Sequence, residues 1–251
     1  MRLADLARFD RRRVRDEARA FVVEGVRSVE SAVEAGAALV AVFVTEDAAA
    51  LPRVAALLDG AAHAGARIEA ARARDLARVT ETETSQGVVA VAARPPEADL
   101  RGARRVLVLD GVQDPGNVGT LVRTAAWFGL DAVVAGPGTA DLFSPKVVRS
   151  AMGGLWDVAL ARPSDLAACL SALRADGVQI VGAALDGPDA AAWHPPVRAA
   201  LVLGSEAHGL SDATTALLDG AVRIGGAPRR GGAESLNVAV AGGVLMWAMA
   251  R

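Results

Sequence analysis

Aromatic side chains are scarce in this sequence: its 251 residues include no tyrosine, five phenylalanines and four tryptophans, so stacking on ring faces has little to draw on outside the tryptophans. The one cysteine, Cys169, excludes an intramolecular disulfide. Three histidines, His63, His194 and His208, offer no zinc-ligand spacing, and no metal is expected. A reduced, cytoplasmic setting fits best. A formal net charge of −2 provides no overall pull on a polyanion, so nucleic-acid binding would have to come from local arginine clusters. No apolar run is long enough for a membrane span, and Met1-Arg2-Leu3-Ala4-Asp5 lacks the apolar core of a signal peptide; no membrane association is expected.

What is present is the mixture of a packed globular protein, 52% hydrophobic and 22% charged, at a length that suits two modest domains. Arg94-Pro95-Pro96-Glu97-Ala98-Asp99 interrupts two well-patterned regions, because paired prolines fit neither a helix nor a central strand. The expected layout is a first domain at residues 1–95, a linker at 96–103 and a second domain at 104–251. In the first, Phe21-Val22-Val23, Val42-Phe43-Val44 and Val88 to Ala92 alternate with alanine-rich helical stretches, the pattern of a small α/β domain. In the second, Val106 to Leu109, Ala132 to Ala135, Ile180 to Leu185, Ala200 to Leu203 and Ala221 to Ile224 read as strands separated by helix-length segments. The expected fold class is α/β, with a parallel sheet covered by helices. Ligands in such sheets sit beyond the carboxyl ends of the strands, which directs attention to the residues after each run.

Three blocks stand at such places. Asp110-Gly111-Val112-Gln113-Asp114-Pro115-Gly116-Asn117-Val118-Gly119 follows a strand and precedes a helical pattern, with Arg123 one to two turns in. Such a turn can hold an anion on free backbone N–H groups, or it is a capped turn with a surface arginine. Gly204-Ser205-Glu206-Ala207-His208-Gly209-Leu210 places a carboxylate between glycines at a strand end, as a ligand acceptor or as an acid beside a helix start. Glu234-Ser235-Leu236-Asn237-Val238 opens the last helix after the Gly225 to Gly232 loop, where Ser235 and Asn237 serve a site or an N-cap. That helix, with Val244, Leu245, Met246, Trp247 and Met249, is apolar on more than one face and is expected to be buried on both sides, as at a subunit interface.

Taken together, Asp114 to Ala125 (DPGNVGTLVRTA), Leu201 to Leu210 (LVLGSEAHGL) and Glu234 to Ala241 (ESLNVAVA) resemble the three signature motifs of the SpoU (TrmH-like) RNA 2′-O-methyltransferases of the SPOUT superfamily, over roughly Arg104 to the end. Phe21 to Gly25, Val42 to Thr45 and Ser85 to Val88 resemble the substrate-binding domain, of ribosomal-protein-like fold, that precedes many of these catalytic domains. The resemblance implies a C-terminal trefoil knot with S-adenosyl-L-methionine bent inside it, a rare exception to the rule against threaded chains. Carried over by position, Leu203, Gly204, Ile224, Leu236 and Asn237 would bind the cofactor, and Asn117, Arg123, Glu206, Ser235 and Asn237 would form the polar catalytic surround. It also implies a homodimer through the knotted domain and structured RNA as partner, ribosomal RNA ahead of transfer RNA. No proline directly follows Ile224, and Arg229-Arg230-Gly231-Gly232 lengthens the cofactor loop relative to the family pattern.

The implied reaction is an in-line displacement at a sulfonium methyl, for which a weakly acidic ribose hydroxyl must be aligned and relieved of its proton. The family assigns the base to the Arg123 position, but a guanidinium resists deprotonation; gripping a phosphate and stabilising an alkoxide suits it better. Arg11, Arg12, Arg13, Arg15 and Arg19 suit RNA phosphates, or form a solvated helix face with Asp10, Asp16 and Glu17. The rivals are a transfer RNA methyltransferase, a non-catalytic RNA-binding adaptor, a Rossmann-type enzyme at Gly136-Pro137-Gly138 whose third glycine position is Asp141, and a hydrolase on Ser205 and His208 that lacks the GxSxG turn.

Overall fold

The computed structural model of the protein describes residues 2–80, 85–226 and 235–251. The chain divides into two units, Met1–Pro96 with Asp141–Trp156, and Glu97–Ala140 with Asp157–Arg251.

The chain begins with a 3-10 helix, Leu3–Asp10, and α1 (Arg12–Ala18), followed by β1 (Ala20–Glu24), α2 (Val26–Glu34), β2 (Leu39–Val44), α3 (Glu46–Ala49), α4 (Pro52–His63), β3 (Arg67–Ala70), α5 (Ala73–Leu76) and β4 (Val88–Ala93). Among the described residues these strands form one sheet in the order β1-β4-β2-β3, with β2 and β3 parallel and both pairings of β4 antiparallel. Val88 to Ala92 are all buried, which explains why β4 reads as an unbroken apolar run rather than an alternation. β3 was not legible in the sequence: Arg67-Ile68-Glu69-Ala70 is a partly exposed edge strand whose charges suit an edge and hide the apolar signal.

From residue 105 the order is β5 (Arg105–Asp110), α6 (Pro115–Trp127), β6 (Ala132–Ala135), α7 (Pro145–Ala151), β7 (Ala159–Ala161), α8 (Leu166–Ala175), β8 (Gln179–Ala183), β9 (Ala199–Gly204), α9 (Asp212–Thr215), β10 (Gly220–Val222) and α10 (Val238–Ala250). Its strands make a six-stranded parallel sheet, β10-β8-β9-β5-β6-β7, in the second unit. Val106, Val108, Ile180, Ala200 and Val202 pack on Leu170 and Leu173 of α8. Gly242 of α10 lies where an added methyl would meet Leu121 of α6 and Leu203 of β9, so the absent side chain lets α10 seat closely there. The strand expected to reach Leu185 ends at Ala183, and Leu185 is 73% exposed. The three-residue β7 was too short to register in the pattern. Residues 97–103 run along this unit: the Ala98 amide donates to the Leu160 carbonyl at 3.0 Å, and Arg162 bonds Glu97 at 2.7 Å.

Within the single chain α10 covers Ala239, Gly242, Leu245, Met246 and Met249 and leaves Val240, Val244 and Trp247 exposed on a stripe at helical spacing. One expectation changes. Arg15 does not join a surface patch for RNA. Its side chain is 3% exposed and forks onto Asp141, with Nη2 at 2.6 Å and Nε at 3.1 Å, while Nη1 donates to the carbonyls of Phe9 and Asp10. Arg12 and Arg13 face solvent and pair along the helix with Asp16 and Glu17 at 3.6 and 3.3 Å.

Asp141 belongs to the stretch 141–156, which counts with the first unit although it lies far along the chain. Phe143 sits 4.8 Å from the Phe21 ring and Trp156 5.7 Å from it, with the Arg94 guanidinium 4.9 Å over Phe143. Two of the scarce aromatic residues, Phe143 and Trp156, thus pack against Phe21 of the buried strand β1, where ring packing adds to burial.

Candidate active site

β5 and β9 lie side by side in register, Asp110 opposite Gly204, so the first two blocks leave the sheet at one edge. After β5 the chain turns at Gly111, and Asp114 caps α6 by accepting from the Asn117 amide at 2.8 Å, with Pro115 at the first helical position. This cap places Asn117 in the first turn of α6.

After β9 the chain folds back on itself. Ser205 N donates to Gly209 O at 3.0 Å and Gly209 N to Ser205 O at 2.8 Å, closing a tight loop with Glu206 at its tip. A methyl group on Gly204 would overlap the Gly209 carbonyl and Leu210 N, both backbone, so only glycine fits. Asp110 Oδ2 accepts from Ser211 N at 2.8 Å, fastening the exit of the loop to the end of β5.

The third block caps α10 through Asn237, whose Oδ1 accepts from Ala239 N and Val240 N at 2.9 and 3.2 Å. With its oxygen so engaged, the same amide points its nitrogen at Asn117: Nδ2 donates to Asn117 Oδ1 at 3.1 Å. Asn117 Nδ2 in turn donates to Glu206 Oε1 at 2.8 Å. One oriented chain of hydrogen bonds, Asn237 to Asn117 to Glu206, therefore links all three blocks, and each amide's orientation follows from its neighbour's.

The remaining expected residues are placed less tightly. Arg123 is exposed on α6 and Ser235 is exposed ahead of α10; among the described residues no hydrogen bond ties either to the Asn–Asn–Glu chain. Leu203 is buried beneath Gly204, Ile224 is partly exposed beyond β10, and Leu236 is 51% exposed. Glu234 and residues 227–232 of the cofactor loop lie outside the described residues.

Sequence reasoning missed Asp110 and Thr139. Thr139 Oγ1 donates to Leu109 O at 2.9 Å and accepts from Gly111 N at 3.2 Å, bracing the turn after β5. Asp110 could have been found, since a carboxylate ending a parallel strand is where ligand-edge residues stand. Thr139 gave no signal. The rival sites gain nothing: Gly136-Pro137-Gly138 leads into turns rather than a helix, and Ser205 Oγ accepts from its own loop, from Ala207 N at 3.2 Å.

A parallel α/β sheet with polar groups from three separate segments gathered at its strand ends is the arrangement of a ligand-handling α/β domain. Comparison with known proteins specifies it. Residues 104–247 match the SpoU rRNA Methylase family, and residues 2–90 match the MRM3-like substrate binding domain. The chain belongs to the SpoU rRNA methylase family. It is similar to the protein named 23S rRNA (guanosine(2553)-2′-O)-methyltransferase RlmP of Bacillus subtilis, 35% identical over 98% of this chain and 94% of that one. It is 34% identical to the 23S rRNA (guanosine-2′-O-)-methyltransferase RlmB of Xanthomonas axonopodis over 91% of this chain and 95% of that one. Among solved structures, the AdoMet-bound rRNA methyltransferase of Sinorhizobium meliloti superposes with a TM-score of 0.86 at 27% identity, covering 98% of this chain and 93% of that one. The AdoMet complex of the SpoU methyltransferase AviRb of Streptomyces viridochromogenes gives 0.83, also at 27% identity, over 99% and 95%.

Proposed function

We propose that this protein transfers the methyl group of S-adenosylmethionine to a ribose 2′-hydroxyl of ribosomal RNA, in the large subunit. The observation that carries the reading is the hydrogen-bonded chain Asn237–Asn117–Glu206, which joins polar residues of all three motifs at the strand ends. The substrate class follows the relatives, both named as 23S rRNA methyltransferases.

The residues suit the cofactor. Leu236 and Ile224 leave apolar surface open, and Gly204 brings backbone close, which together offer an adenosine the apolar faces and backbone partners that nucleoside sites use. Leu203 and Asn237 complete this set, within the trefoil knot that family membership implies. Bound there, S-adenosylmethionine supplies a methyl group activated by its sulfonium charge.

The chain's own task is to present a hydroxyl in line with that methyl. Asn117, Glu206, Ser235 and Asn237 offer donors and acceptors that fix the ribose. Arg123 holds the neighbouring phosphate and stabilises the negative charge that grows on the attacking oxygen. The first unit holds structured RNA through phosphate and shape, with the exposed Arg11, Arg12, Arg13 and Arg19 in reach of solvent. The exposed stripe of α10 pairs with a second copy, and the enzyme works in the cytoplasm.

Substituting Arg123→Lys removes the planar fork and is expected to lower kcat by roughly 10²-fold or more, with calorimetric S-adenosylmethionine affinity unchanged. A fully active Arg123→Ala enzyme would overturn its role. Mapping 2′-O-methylation in ribosomal and transfer RNA from a deletion strain tests the substrate: one missing mark in large-subunit RNA supports the proposal, and a missing transfer RNA mark replaces it.

A further inference from the structure

The loop from Ser205 to Leu210 carries Glu206, and its shape and its placement are controlled separately. The paired bonds between Ser205 and Gly209 fix its shape. They do not fix how the loop leans against its neighbours. Its entry is held by β9, where Gly204 stands opposite Asp110. Its exit is held at Ser211, where the amide donates to Asp110 Oδ2 at 2.8 Å. The exit also begins α9, because Ser211 Oγ accepts from Thr214 N at 3.3 Å and lies 3.0 Å from Thr214 Oγ1. Asp110 therefore touches the loop at both of its feet, once through strand register and once through its carboxylate.

The tip has its own anchor, Asn117, in the helix that follows β5. Asp110 and Asn117 are seven positions apart on the same β5–turn–α6 segment. The turn between them is braced by Thr139 through Leu109 and Gly111. If the exit of the loop swings away from β5, Glu206 moves relative to Asn117, and the chain that begins at the α10 cap loses its last member.

We propose that Asp110 is a positioning residue for methyl transfer: by holding the Ser211 amide it seats the Ser205–Leu210 loop so that Glu206 meets Asn117. This rests on the methyltransferase reading above. The Ser211 amide is an uncharged donor, so the position needs an acceptor oxygen and not a negative charge. Asparagine retains such an oxygen and alanine does not. An acid or base at this position would have the opposite requirement.

The test uses the full chain, with in vitro transcribed 23S ribosomal RNA and S-adenosylmethionine as the probes. Asp110→Ala is expected to lower kcat by about 10- to 100-fold, since misplacement on the order of 1 Å costs that much, while KM for RNA stays within about 3-fold. Asp110→Asn is expected to recover to within about 3-fold of the parent, as a retained acceptor requires. Amide hydrogen exchange over residues 204–211 is expected to quicken in Asp110→Ala and to remain near the parent in Asp110→Asn, a readout that does not depend on turnover. Parent-like kcat and exchange in Asp110→Ala overturn the inference. So does an Asp110→Asn enzyme as slow as Asp110→Ala with its loop still protected, because the carboxylate itself would then serve the chemistry. A parent enzyme that methylates neither ribosomal nor transfer RNA removes the methyltransferase reading and this inference together; either of the other two outcomes removes only this inference.

Discussion

Gly204 shows how one position decides whether the site can form. Its neighbour across the loop is backbone, the Gly209 carbonyl and Leu210 N, which cannot step aside as a side chain end can. Gly204→Ala is therefore expected to open the Ser205–Gly209 closure and to abolish S-adenosylmethionine binding by calorimetry. The sheet should survive, because β9 keeps its pairing with β5 and β8. Unchanged cofactor affinity in this variant would mean that the loop closure is not required. Arg15 is the opposite case, a residue whose sequence context was misleading. It lies among exposed arginines on a short helix, yet it is buried against Asp141. Arg15→Ala strands a carboxylate whose side chain is 7% exposed, and a loss of about 3–5 kcal/mol in unfolding free energy is expected by denaturant titration. A loss below ~1 kcal/mol, as for a surface pair, would show that water reaches Asp141.

At the scale of elements, several ends are tied by acidic side chains. Asp176, just beyond α8, accepts from the Gly102 amide at 2.9 Å and from Arg198 at 2.7 Å, joining the approaches to β5 and β9. These two partners, the backbone amide first, hold its carboxyl below the ordinary range. A carboxyl depressed on folding contributes stability above its unfolded pKa, about 4, and loses it as pH falls through the folded value. The melting temperature of Asp176→Asn should thus fall short of the parent's above pH ~4, and the two should converge as pH drops below that. A constant gap across the acid range would remove the charge from the explanation. β7 shows why short elements escape a pattern reading: Ala159-Leu160-Ala161 becomes a strand by pairing with β6, which no local periodicity announces.

At the scale of the whole molecule, one stripe of exposed apolar side chains lies on the last helix. Val240, Val244 and Trp247 line one face of α10, and Arg251 lies 4.5 Å over the Trp247 ring. On the proposed homodimer, Trp247→Glu introduces a charge that the contact would have to desolvate. It is expected to shift sedimentation from dimer to monomer at micromolar concentration. A parent that sediments as a monomer would retire the dimer.

The three blocks, their order and the strands they follow were legible because they are local: turn residues, caps and apolar runs carry their information within about ten positions. The parallel α/β class and the family followed from them. Sequence alone left each block as readily a cap as a site, and for Asn237 both readings are true: one amide caps α10 and reaches Asn117. What only the tertiary structure decided was long range. Asn117 and Glu206 are 89 positions apart, Asn117 and Asn237 are 120, and Arg15 and Asp141 are 126. A sequence records which groups can donate and accept. Strand order and register decide which of them meet, because these bring the ends of β5 and β9 together and leave β7 at the far edge.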